Sequence, residues 1–207
     1  MRFHREVARG VCRLAGAVFW VVVALLCAGT VVLHDANAEC ALGNAPHAAP
    51  SNAAEMHEAE VMYLPTPHHV VEAMLRLAGV SSTDVVFDLG AGDGRIPIAA
   101  ARDFGARGVG IELDRRMIER ARCYARAAGM ERVVEFRHED LFRADLREAT
   151  VVTLFLFPEM NQRLGPKLLS ELRPGTRIVS LRFGIGNWRP ERTIEADGHP
   201  ILLWKVP

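Results

Sequence analysis

From residue 61 to the C terminus, short apolar runs alternate with segments of helical period, and this alternation confines the chain to an α/β architecture. "HHVVEAMLRLAG" places Val70, Val71, Met74, Leu75 and Ala78 at helical spacing and stops at Gly79. "DVVFDLG" follows as a strand, then "RIPIAAARDFG" as a helix that tolerates Pro97 because it falls in the first turn. "GVGIELD" is the next strand and "DRRMIERARCYARAAG" the next helix, with Asp114 as N-cap and Gly129 as stop. "RVVEFRHED" makes a third strand, and "TVVTLFLF" is apolar enough for the centre of a sheet covered on both faces. A helix over "PEMNQRLGPKLLSELR", a strand "RIVSLRF" and a closing antiparallel pair, "TIEAD" and "ILLWKVP", complete the series. The expected fold is a doubly wound, seven-stranded, mostly parallel sheet whose ligand sits beyond the carboxyl ends of the strands.

The N-terminal segment is of another kind. Leu14 to Leu33 carries no charge, and at about 1.5 Å per residue a helix of that length spans about 30 Å of hydrocarbon. Arg2, Arg5, Arg9 and Arg13 precede it, whereas His34, Asp35 and Glu39 follow, so the positive-inside rule keeps the N terminus cytoplasmic and sends the rest across. "ANA" (Ala36 to Ala38) has the form that a signal peptidase cuts, so both a cleaved export signal and a retained membrane anchor stay open. The expected organisation is therefore a signal peptide or hydrophobic transmembrane helix over 1–38, an Ala- and Pro-rich linker over 39–60, and a folded domain over 61–207. Twenty-five basic and twenty-five acidic residues balance to zero, and no nucleic-acid partner is expected. Cys12, Cys27, Cys40 and Cys123 form neither a disulfide framework nor a metal-ligand set, so no metal is expected.

The loop after the first strand reads "DLGAGDG", with Gly90, Gly92 and Gly94 in G-x-G-x-G order instead of the dinucleotide order G-x-G-x-x-G. Asp88 stands at the strand end, where its carboxylate repels a pyrophosphate and suits an ammonium group. Glu112, at the end of the second strand, is placed to accept hydrogen bonds from two ribose hydroxyls. Asp140, at the end of the third, is placed for the exocyclic amine of an adenine. An amine, a ribose and an adenine without phosphates describe S-adenosyl-L-methionine.

"DLGAGDG", "GIELD" and "HEDLF" together resemble the cofactor motifs of the class I S-adenosylmethionine-dependent methyltransferases, a Rossmann-like fold, from about residue 61 to the end. The resemblance implies that Asp88, Gly90 and Gly92 line the methionine end, Glu112 the ribose and Asp140 the adenine. Upstream, "YLPTP" before a helix and "DLGAGDGR" resembles a narrower group, bacterial relatives of the mitochondrial lysine N-methyltransferases acting on the c subunit of ATP synthase. That likeness makes Tyr63 and Thr66 candidates for the methionine moiety, with a hydrophobic latch and a helix N-cap as their structural alternatives.

"FLFPEMN" lacks the Asn-Pro-Pro-aromatic or Asp-Pro-Pro-Tyr sequence usual in enzymes that methylate amino groups of nucleic acids. Phe157 and Pro158, with Trp188 in "SLRFGIGNWRP", are the candidates for the acceptor site. The acceptor expected is a protein lysine, with a small or lipid-like molecule as the alternative and a non-catalytic cofactor-binding module as a third reading. His138 reads as a strand residue, and no catalytic base is identifiable from the sequence.

Overall fold

The computed structural model describes residues 64–207. The expected membrane or signal segment, the linker and Tyr63 lie outside the described residues. Among the described residues no helix is long and apolar enough to cross a membrane.

Helix α1 (His68–Leu77) opens the described chain and buries Val70, Val71, Met74, Leu75 and Leu77. The elements then run β1 (Val85–Leu89), α2 (Arg95–Phe104), β2 (Arg107–Glu112), α3 (Arg115–Ala127), β3 (Val134–His138), β4 (Val151–Leu154), α4 (Pro158–Glu171), β5 (Arg177–Leu181), β6 (Arg192–Ala196) and β7 (His199–Lys205). They form one seven-stranded sheet in the order β3-β2-β1-β4-β5-β7-β6. β1 to β5 are mutually parallel, and β7 enters antiparallel between β5 and β6. The strand order reverses between β1 and β4, and such a switch point opens a crevice at the carboxyl edge.

Alternate residues of the central strands feed opposite faces of the sheet. Val86, Val151, Val179 and Ile201 pack on one side with Met74, Leu75, Ile96 and Ala100. Phe87, Leu89, Val152, Leu154 and Ile178 pack on the other with Leu164, Leu168 and Trp204. Each fully buried large side chain of these layers contributes roughly 1.5–3 kcal/mol.

The predicted caps are present on α3, where the Asp114 side chain accepts from the Arg116 amide and Gly129 follows at φ 69°. Thr66, in contrast, does not cap α1: the N-cap is Pro67, and no side chain caps that end. Cys123 on α3 is disulfide-bonded, and the other three cysteines lie outside the described residues.

Asp84 and Asp88 flank β1 and behave oppositely. At the amino end, the Asp84 carboxylate accepts from the Ser81 amide at 2.8 Å and the Thr150 hydroxyl at 2.7 Å, and pairs with Arg177. Burial alone would raise its pKa, but the Thr150, Ser81 and Arg177 contacts outweigh it and hold the group below the usual range. Asp84 thus ties β1, β4 and β5 together as structure. Asp88, at the carboxyl end, has no such set of partners.

Candidate active site

The glycine loop is shaped by three left-handed residues, Gly90 (φ 82°), Gly92 (φ 53°) and Gly94 (φ 78°). A Cβ on Gly90 would stand 2.8 Å from Leu156 Cδ2, so Leu156 rests directly on the loop. A Cβ on Gly94 would stand 2.4 Å from the Phe136 ring, so the entry to α2 closes tightly on β3. The Gly90 and Ala91 amides both donate to the Ile111 carbonyl, at 2.9 and 3.0 Å, which anchors the loop on the end of β2.

The three sequence-predicted carboxylates all stand at the carboxyl edge of the sheet. Asp88 is 3% exposed, and its Oδ1 accepts from the Thr153 hydroxyl at 2.5 Å. Burial pushes its pKa up to about 7; the Thr153 bond opposes the rise, and the charges of Glu112 and Asp93 add to it. A buried carboxylate with one neutral donor is suited to a cationic ligand, and an ammonium group is the complement that would hold it ionised.

Glu112 is more engaged than the sequence suggested. Its Oε2 accepts from the Gly92 amide at 2.8 Å, and its Oε1 accepts from the Leu113 and Asp114 amides at 2.8 and 2.9 Å. These bonds lock the carboxylate against the loop and leave about one of its four lone-pair sites for a ligand hydroxyl. Asp140 lies just past β3, where its Oδ1 accepts from the Phe142 amide at 2.9 Å and its carbonyl accepts from the Arg143 and Ala144 amides. Its Oδ2 is 3.9 Å from Arg143. His138 Nε2 lies 2.8 Å from the Leu113 carbonyl and ties the ends of β2 and β3, in keeping with a strand residue.

Two contributions were not read from the sequence. Thr153 is the single polar residue of β4, in register with Asp88 and fully buried. A lone hydroxyl in "VVTL" was the available signal. Thr153→Val keeps the shape and removes the donor, so the Asp88 carboxyl should hold its proton to higher pH and bind a cation about tenfold or more weakly, as read by calorimetry.

The second is the pair Asp93 and Arg95. The Asp93 carboxylate receives Arg95 Nε at 2.9 Å and Nη2 at 2.6 Å, while Arg95 Nη1 donates to the Thr66 carbonyl at 2.6 Å. Arg95 thereby fastens the segment before α1 to the glycine loop. Thr66, 4% exposed, is held beside the loop through its backbone.

The acceptor candidates divide. Thr153, Phe155 and Phe157 alternate along β4 and its exit on the Asp88 side, with Phe155 half-buried against the first core layer and Phe157 52% exposed. Phe157 is the N-cap of α4 and Pro158 its first residue. Trp188 packs instead with the second core layer: its ring lies 6.4 Å from that of Trp204, and its carbonyl accepts from Trp204 Nε1 at 2.8 Å. The structure does not bring Trp188 beside Phe155.

Comparison with known proteins places this geometry. Residues 88–192 match the model of the ANTKMT methyltransferase domain. A protein-lysine N-methyltransferase of Saccharolobus islandicus is 42% identical over 70% of this chain and 94% of its own length. An adenine nucleotide translocase lysine N-methyltransferase of mouse is 38% identical over 63% of this chain, but the match spans only 57% of that protein. Among solved structures, an RNA methyltransferase from Salinibacter ruber with S-adenosyl-L-homocysteine is 53% identical, covers 70% of this chain and 94% of its own, and superposes with a TM-score of 0.69.

Proposed function

Because the chain belongs to the ANTKMT methyltransferase family and is an S-adenosylmethionine-dependent methyltransferase, we propose that its acceptor is the ε-amino group of a protein lysine. The observation that carries this reading is the exit of β4, where the run Phe155, Leu156, Phe157 and Pro158 is apolar, with Phe157 exposed, and offers no side-chain carboxylate or carboxamide to grip a nucleobase. The name of the archaeal relative supports the same acceptor.

The site suits the cofactor residue by residue. Asp88 meets the ammonium, and the Gly90 to Gly94 turn admits the methionine chain where a Cβ would intrude. Glu112 takes a ribose hydroxyl with its remaining lone pair, Asp140 takes the adenine amine, and Thr66 closes the methionine end under the Arg95 tether. The cofactor supplies a methyl group on a sulfonium already primed to leave, so the protein's task is to align the amine with that methyl group and exclude water. Phe157 and Pro158 line the approach of the lysine chain. Burial of the amine among these apolar groups disfavours its charged form and frees the lone pair, with the proton passing to solvent before the chain closes the channel.

One observation favours a different acceptor: the Salinibacter relative is named as an RNA methyltransferase. Against that reading, six surface arginines, Arg76, Arg102, Arg107, Arg115, Arg116 and Arg147, each pair with a neighbouring carboxylate, which neutralises them toward a phosphate backbone. Incubating the full chain with methyl-labelled cofactor and fractionated lysate separates the readings. Label that is removed by protease and survives ribonuclease is expected. Label in RNA or in an organic extract would replace lysine with a nucleotide or lipid acceptor.

We also propose that residues 14–33 address the chain to a membrane, on their length, lack of charge and flanking arginines. A reporter fused after Pro207 should be active only outside the cytoplasm. Sequencing the N terminus of the mature protein distinguishes an anchor from a signal cut after Ala38.

A further inference from the structure

Arg182 follows β5 directly and stands out from its surroundings in three ways. Its backbone is left-handed, at φ 69°, and the Phe183 amide donates to the Leu181 carbonyl at 2.9 Å across it, closing a three-residue turn of the rare, strained kind. Its guanidinium lies 5.7 Å from the centre of the Phe155 ring, at the exit of β4. Its Nε is buried without a hydrogen-bond partner. The Nη2 group meets His199 Nε2, and because arginine only donates, His199 accepts there.

No carboxylate faces this half-buried cation among the described residues, although Arg95, Arg137 and Arg177 each have one. A guanidinium taken partly out of water with an orphaned donor is stabilised by an anion, and its planar fork matches a carboxylate. The carboxylate is best assigned to the acceptor. β4 lies between β5 and β1, so at about 4.8 Å per strand Arg182 stands about 10 Å from the Asp88 strand that receives the cofactor's amino-acid end. The Phe155 ring, at the strand exit read above as the acceptor side, lies against the guanidinium.

We propose that Arg182 is a specificity residue that docks a carboxylate carried by the acceptor next to the methylated amine, so that the enzyme selects lysines with an acidic neighbour. The inference rests on the lysine reading above. The strained turn fixes the direction of the guanidinium, and His199 and the Phe155 ring hold it in place, which leaves Nη1 to meet the carboxylate.

A panel of lysine peptides whose flanking positions carry Asp or Glu, Asn or Gln, or Arg tests it with the full chain and methyl-labelled cofactor. The wild type should label the acidic peptides about tenfold or more above their amide counterparts, the bias expected of a charge-assisted pair. Arg182→Gln should remove the bias and Arg182→Lys retain part of it, while cofactor affinity by calorimetry stays within about twofold. Equal labelling of acidic and amide peptides by the wild type overturns the proposal without needing any variant, as does a bias that survives Arg182→Gln. Loss of cofactor affinity in Arg182→Gln, with Arg182→Lys restoring it, would assign the carboxylate to the cofactor and overturn it too. Labelling of lysine peptides regardless of flank leaves the lysine reading standing, whereas label on none of them sinks that reading and this inference together.

Discussion

Asp88→Asn should weaken S-adenosylmethionine binding by about a hundredfold or more and, in the same protein, raise the stability of the cofactor-free fold. The first effect follows from removing the partner of a buried cation, which costs about 3–5 kcal/mol. The second follows from the sign of the Asp88 shift. Its pKa is raised from 3.8 to about 7, chiefly by burial, so the folded state keeps a proton that the unfolded state gives up. Stability from this group is therefore full at low pH and falls as pH rises between about 4 and 7, because the native state binds more protons there than the unfolded chain. Asparagine escapes that loss and can still accept from the Thr153 hydroxyl. Thermal unfolding at about pH 8 should place the variant above the wild type, with the difference vanishing near pH 4. A variant that loses binding and also unfolds earlier at pH 8 would mean that Asp88 serves the fold.

Gly94→Ala carries the largest expected loss of stability. Alanine at φ 78° costs about 1–2 kcal/mol. Its Cβ would also meet Phe136 Cζ at 2.4 Å and the Ala121 Cβ at 2.9 Å, and overpacking of that kind adds about 1–3 kcal/mol. A total of roughly 2–5 kcal/mol should appear in urea unfolding. Gly90→Ala bears the same backbone strain but meets only the flexible end of Leu156, so it should cost less. Equal losses at the two positions would contradict the packing of Phe136 against the entry of α2.

The elements were legible because their periods are clean. β1 and β4 are mostly apolar runs buried on both faces, α1 and α3 carry apolar faces at helical spacing, and Asp114 and Gly129 mark the ends of α3. The positions of Asp88, Glu112 and Asp140 at the carboxyl edge were legible for the same reason, since each ends or follows a strand. What the sequence hid was lateral. Thr153 reaches Asp88 only through the parallel register of β4 on β1, and Arg95 reaches Thr66 only once α2 stands beside the entry to α1. The packing of Trp188 was hidden for a related reason: its indole turns onto Trp204 from β7, a pairing that depends on an antiparallel strand inserted late in the chain. The Thr66 cap failed because Pro67 takes that position itself.

The central claim is that a buried, proton-holding Asp88 receives the ammonium of S-adenosylmethionine. Titration calorimetry at about pH 6 and pH 7.5, in buffers of different ionisation enthalpy, tests it most directly. A cation that binds only the ionised carboxylate must displace the Asp88 proton, so affinity should be roughly fivefold higher at pH 7.5, after allowing for the ligand's own amine near pH 8, with close to one proton released at pH 6. Affinity independent of pH with no proton release, or no binding at all, would contradict the account.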